Sequence, residues 1–194
     1  MSYTEALKPP ALVTSPEHSE ETDSTLAARG DTESFVLLYH RYAPSVYRYL
    51  YARTHSHHDA EETTARVFER AWHSFHRFRP TGAFAGWLFT IVQRVLIDHY
   101  RSVSSQRATT TRFDNIISDK RDQPEEAVLR EEQRLTLLGE IERLSPEQQD
   151  IIYLRFVAEL PYAAIARTVG KSEAATKMTM YRALEILKRR INNE

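Results

Sequence analysis

The stretch Leu160–Asn192, LPYAAIARTVGKSEAATKMTMYRALEILKRRINN, limits the fold more than any other part of the chain. It predicts two helices joined by a very tight turn. Pro161 has a fixed φ that suits the first turn of a helix, and Ala163, Ala164, Ile165 and Ala166 carry that helix onward. Gly170 stands where the helix must end in the left-handed conformation, which glycine adopts without a Cβ clash. Ser172 then offers an N-cap hydroxyl to a second, longer helix. On that helix Thr176, Met180, Ala183, Leu187 and Ile191 recur at steps of four and three, one narrow buried stripe. Lys177, Thr179, Tyr181, Arg182, Lys188 and Arg189 lie mostly off it. A short helix, a glycine turn and a long helix with a basic outer face make a helix-turn-helix, whose second helix can enter a DNA major groove. Taken alone, the stretch also allows a plain helical hairpin with a solvated basic face.

The rest of the chain is read for company. Residues 1–30 are rich in Pro, Ser, Thr and Glu and read as a disordered leader. Asp31 is an N-cap candidate, followed by Phe35, Leu38, Tyr39, Tyr42, Val46, Tyr49 and Leu50 at helical spacing, with a kink or break expected at Pro44. A second helix is expected near Asp59, with Asp59, Glu61 and Glu62 in its first turn and Val67, Phe68, Ala71, Trp72 and Phe75 inside. After the loop Phe78–Phe84 comes a third helix, Ala85–Arg101, with Trp87, Leu88, Ile91, Val92, Val95 and Ile97 as its apolar side. Arg94, His99 and Arg101 are its expected exposed points. From residue 102 the periodicity fails, and residues 104–123 read as a polar linker that lets two domains sit apart. Helices resume at Pro124, with Leu135, Leu138, Ile141 and Leu144 on one face. Ser145-Pro146-Glu147-Gln148 is a capping box opening another helix. No convincing strand appears. The expectation is all-α, with two small helical domains over 31–103 and 124–194 and the helix-turn-helix at the end.

Charge sharpens this reading. The chain sums to −1, yet residues 35–107 carry ten bases against five acids, and residues 151–194 carry eight against four. Residues 1–34 and 108–150 are acidic. Two basic modules between acidic segments suggest two nucleic-acid contacts. Cysteine is absent, which removes disulfides, thiolate metal sites and a cysteine nucleophile, and no apolar run approaches a membrane span. A soluble cytoplasmic protein is expected. His55, His57 and His58 lack a carboxylate partner at helical spacing and read as polar loop, so no metal or other cofactor is expected. With no phosphate-cradling glycine loop and no convergent acid–base set, an enzyme is the weakest reading.

Asp59-Ala60-Glu61-Glu62 through Phe68 and Ala71-Trp72, Phe84 through Arg101, Pro124-Glu125-Glu126, Leu144 through Gln149 and Leu154-Arg155-Phe156 together resemble the extracytoplasmic-function sigma factors. These are the smallest bacterial sigma factors, which keep regions two and four. The resemblance covers roughly residues 31–192. It implies that Asp59, Glu61, Glu62 and Phe68 bind core RNA polymerase. It implies further that Arg79, Thr81, Arg94, His99 and Arg101 serve the minus-ten element of promoter DNA, the loop Phe78–Phe84 capturing a flipped base. Lys171, Ser172, Lys177, Thr179 and Arg182 would serve the minus-thirty-five element. An anti-sigma factor is a further partner the family allows.

Departures from the family pattern are Ala65 where glutamine is usual, Arg94 where asparagine is usual, and Thr179 where arginine is usual. The last removes a fork-shaped donor for guanine or phosphate. Two rivals follow: a sigma-like helix-turn-helix regulator that does not open promoters, and a module that sequesters another protein.

Overall fold

The computed structural model describes residues 20–79, 83–107 and 135–192. Among these every regular element is a helix. The first module holds α1 (Glu20–Arg29), α2 (Thr32–Thr54), α3 (His57–Phe75) and α4 (Phe84–Arg107). The second holds α5 (residues 135–142), α6 (Pro146–Phe156), α7 (Tyr162–Val169) and α8 (Glu173–Asn192).

Local chemistry explains most boundaries. Asp31 caps α2 by accepting the Ser34 amide at 2.6 Å, and that hydrogen bond holds its carboxyl below the usual carboxylate range. Ser56 caps α3 through the Asp59 amide at 3.2 Å, so this helix starts at His57 rather than near Asp59. Of the kink or break expected at Pro44, a break does not occur: α2 runs on through it, its other hydrogen bonds and buried face outweighing one lost donor. Ser145 and Gln148 form the expected capping box at α6, and Gly170 ends α7 at φ 68°. Pro161 sits at the N-cap of α7, one residue before the helix.

The leader is not wholly disordered. Residues 20–29 form α1, whose Ala27 and Asp23 are buried. The Asp23 carboxylate pairs with Arg41 and accepts the Tyr42 hydroxyl, both on α2. Composition missed this because one buried, paired acid anchors an otherwise polar segment. Residues 1–19 lie outside the described residues, as do 108–134, which take in most of the expected linker. Its first residues, 104–107, continue α4.

The first core is aromatic. Phe84 meets Tyr42, Phe75, Phe78 and Trp87 at centroid distances of 5.2–6.4 Å, each tilted or edge-on. Burying such a ring contributes roughly 1.5–3 kcal/mol. The second core is aliphatic, built on Ile151, Leu154, Ile165, Met180 and Leu187, all fully buried. Four side chains expected inside stand partly in solvent instead: Tyr39 at 42% exposure, Trp72 at 43%, Ile97 at 46% and Leu135 at 56%.

The two modules do not sit apart. Helix α7 lies along α4, and a Cβ on Gly86 would come within 2.9 Å of the Arg167 side chain and 3.2 Å of the Ala164 carbonyl. That glycine is what permits so close an approach. A polar cluster closes the other side. Arg53 of α2 lies 3.4 Å from Asp150 of α6, Tyr49 donates to the same carboxylate at 3.4 Å, and Gln93 of α4 donates to Tyr49 at 2.8 Å. Arg48 reaches the Val157 carbonyl at 3.1 Å. Burial raises the pKa of both Asp150 and Tyr49.

Candidate nucleic-acid and polymerase interfaces

Because α3 starts at His57, only Asp59 falls in its first turn; Glu61 and Glu62, expected there too, stand in the next turn. Glu61 and Glu62 point into solvent, and Glu62 is 3.9 Å from Arg66 one turn on. Ala65 stands exposed on the same surface, one turn from Glu61. Asp59 is half-buried and faces His99 Nε2 at 3.9 Å. Phe68 does not belong to this surface: it is 6% exposed and packs edge-on against Phe35 and Tyr39. Its expected role in binding polymerase is therefore corrected to one of supporting the helix from within.

Arg79, Arg94 and Arg101 are exposed, the last two on α4. Thr81 lies outside the described residues. His99 is 8% exposed and cannot reach DNA, so its assignment is also corrected. The buried stripe of α4 runs Leu88, Val92, Leu96, His99, and helical register carries the imidazole inward however polar it is. Ile97, two positions earlier, is turned outward by the same register. Arg70 of α3 is tied to Asp98 of α4 at 2.7 Å, and this bond holds the Asp98 carboxyl below its ordinary range.

In the second module Ser172 accepts the Ala175 amide at 3.2 Å, and Thr176, Met180, Ala183 and Leu187 bury the stripe of α8 as expected. The turn before α7 is braced by Arg155, which is buried, donates to the Leu160 carbonyl at 2.9 Å and stacks on Tyr162. The outer face of α8 presents Lys177, Met178, Tyr181 and Arg182. Met178 is 52% exposed and Tyr181 64%, so neither packs against the preceding helix.

The cations of this face are not equivalent. Lys171 is bound by Glu147 of α6 at 2.5 Å, and Lys177 by Glu173 at 2.6 Å, a contact that raises the lysine pKa. Thr179 donates to the Ala175 carbonyl at 3.0 Å and is half-buried. Arg182 alone among these three cations has no carboxylate beside it among the described residues. Sequence reasoning missed Glu147, whose position in a capping box disguises its reach across to Lys171.

Two basic helical modules, one ending in a helix-turn-helix with an exposed reading face, define a two-site DNA-binding protein. Family models agree on both halves: sigma-70 region 2 matches residues 38–106 and sigma-70 region 4 matches residues 134–187. The ECF RNA polymerase sigma factor BldN of Streptomyces coelicolor is 35% identical over 164 residues, a match spanning 84% of this chain and 62% of that protein. The RNA polymerase sigma factor YlaC of Bacillus subtilis is 30% identical over 153 residues, spanning 78% and 88%. The chain belongs to the extracytoplasmic-function sigma factors of the sigma-70 family.

Among solved structures, CnrH in complex with the cytosolic domain of CnrY has a TM-score of 0.65 at 20% identity, covering 89% of this chain and 99% of that one. The sigma factor RpoE in complex with the anti-sigma factor NepR from Bartonella quintana gives 0.61 at 17%, covering 83% and 98%. At such identities the likeness is one of fold. No described helix is long and apolar enough to cross a membrane.

Proposed function

We propose that this chain binds core RNA polymerase through the exposed face of α3 and directs it to promoters carrying two separated elements. Glu61, Glu62 and Ala65 form the polymerase face, Arg79, Arg94 and Arg101 hold the minus-ten region, and Ser172, Lys177 and Arg182 face the minus-thirty-five element. Lys171 and Thr179 border that last surface. The observation that carries this reading is the outward face of α8, a basic and apolar surface on a helix whose opposite stripe is buried from Thr176 through Leu187.

Each module alone offers a small, salt-sensitive DNA contact. Tethering both to one polymerase makes the second contact intramolecular. The two promoter elements lie about 25 base pairs apart, roughly 85 Å at about 3.4 Å each. Residues 108–134, 27 in number, could span roughly 90–97 Å if fully extended. On this reading the docked state is a resting state that opens on the polymerase, the two modules separating to meet the two elements. An anti-sigma factor is a further proposed partner, as the sigma factor RpoE has one in NepR.

The test is run-off transcription of genomic DNA with core polymerase and this protein, mapping start sites. Discrete starts absent with core alone are expected. A gel shift without polymerase, with no run-off product, would instead favour a stand-alone regulator.

A further inference from the structure

The apolar side chains of α8 divide between two faces. Thr176, Met180, Ala183 and Leu187 make the buried stripe, while Met178 is 52% exposed and Tyr181, at 64%, is the most exposed large apolar side chain among the described residues. At about 3.6 residues per turn, Met178 and Tyr181 share the face opposite that stripe. Ala174, also exposed, continues their ridge one turn towards the helix N-terminus. Lys177 borders one edge of the ridge and Arg182 the other. Across Glu173–Asn192 five bases stand against two acids, Glu173 and Glu185, so the ridge lies in a basic surround. An apolar strip between cations complements a surface with an apolar floor and anionic walls. A DNA major groove is such a surface wherever thymine methyls line it between the two phosphate backbones.

We propose that Met178 and Tyr181 are specificity-determining residues that read the 5-methyl groups of thymines at two neighbouring base pairs of the minus-thirty-five element. The inference rests on the promoter reading above and adds to it a base and the group by which that base is told apart. Met178 and Tyr181 are the sixth and ninth residues of α8, in the N-terminal half that a recognition helix turns to base edges. Three positions rise about 4.5 Å along the helix axis, against ~3.4 Å between base pairs, so each side chain meets its own step. Lys177 and Arg182 supply charge at the edges and leave the centre of the face to apolar contact. A cytosine there would lack the methyl and set its N4 amino donor against apolar atoms, where it goes unsatisfied.

Uracil differs from thymine only by the missing 5-methyl group. The test therefore replaces thymine by deoxyuridine, one position at a time, in the minus-thirty-five sequence that the holoenzyme selects from randomised DNA. Competition binding of the holoenzyme should weaken roughly fourfold for each contacted methyl removed, the worth of one buried methyl group. The losses should fall at two adjacent base pairs and nowhere else in the element. Met178→Ala should erase the loss at one of them and Tyr181→Ala at the other. Both side chains lie outside the core, so thermal unfolding by circular dichroism should not move in either variant. A selected sequence without thymine, deoxyuridine without effect at every position, or losses that persist in both variants overturn the inference, while run-off from the selected promoter still upholds the sigma reading. If the holoenzyme selects no sequence and yields no run-off product, the promoter reading itself fails and this inference with it. Weaker capture of DNA-free core polymerase by either variant would put a protein surface on the ridge instead, and overturns the methyl contact as well.

Discussion

The two modules solve the same problem, a small helical core, with different materials. The first stacks aromatic rings, Phe35, Phe68, Phe75, Phe78, Phe84 and Phe89, around helices of nineteen residues or more in α2, α3 and α4. The second has shorter α6 and α7, aliphatic side chains, and three sharply specified ends at Ser145, Gly170 and Ser172. Large rings at long helix faces hold by buried area. Short helices hold by caps and turn geometry, and here α7 also leans on α4. The second module is thus the one whose boundaries chemistry fixes locally, and the first the one whose interior does the holding.

The comparison breaks most visibly at Phe84. Its ring touches four others, so Phe84→Ala should cost about 3–5 kcal/mol. Both tryptophans, Trp72 and Trp87, lie in the first module, so the urea midpoint by tryptophan fluorescence should fall ahead of the loss of helical circular dichroism. A cost under about 1 kcal/mol would mean the aromatic cluster is not the core's mainstay.

Next comes the join between modules. Arg53→Met leaves Asp150 facing Tyr49 without its cation, which should weaken docking by roughly 1–3 kcal/mol. Energy transfer between the modules should drop while run-off activity holds or rises. Unchanged transfer would place the docking energy in α4 and α7 alone.

The reading face supplies a comparable effect of another kind. Arg182→Ala should cost on the order of 1–3 kcal/mol of binding to the preferred minus-thirty-five sequence and relax preference there. Selection on randomised DNA with the holoenzyme would show it. Identical preferences in wild type and variant would leave Arg182 a phosphate contact.

Gly170→Ala probes the caps. A Cβ there meets nothing within 4 Å, so the penalty is backbone strain at φ 68° alone, about 1 kcal/mol. Circular dichroism should register it while tryptophan fluorescence does not; a shift in both would show that the second module supports the first.

The smallest effect is on pH. The Asp150 carboxyl is raised above 3.8 by burial, with Arg53 opposing. A raised value means the docked form binds the proton more readily than the open one. The contribution is fully present below 3.8 and is lost as pH rises through the docked-state value. Docking should tighten on acidification from neutral towards pH 4, and Asp150→Asn should flatten that trend; a loosening in the wild type would reverse the assignment.

Much of this was legible in the residues themselves. Ser145-Pro146-Glu147-Gln148, Gly170 and Ser172 marked their turns because capping and left-handed geometry depend on a few neighbours. The stripe of α8 was legible for the same reason. His99 and Phe68 were misplaced because polarity and motif were read where helical register decides. The docking of α7 on α4 was not legible, since Gly86, Arg53 and Asp150 gain meaning only from partners about 80 to 100 positions away. α1 escaped because a single buried pair, Asp23 with Arg41, outweighs the segment's polar composition.

The Lys171–Glu147 and Lys177–Glu173 bonds carry a consequence for how tightly binding tracks ionic strength. A cation that meets a phosphate normally gives up solution ions, and DNA gives up its condensed ones. These two lysines already hold a resident counterion belonging to the protein itself. On the proposed reading of α8 in a DNA groove, phosphate would replace carboxylate rather than chloride, and Glu147 and Glu173 would then collect sodium or potassium of their own. The gain from ion release at this end would then be smaller than a count of basic residues suggests, with Arg182 contributing the full share.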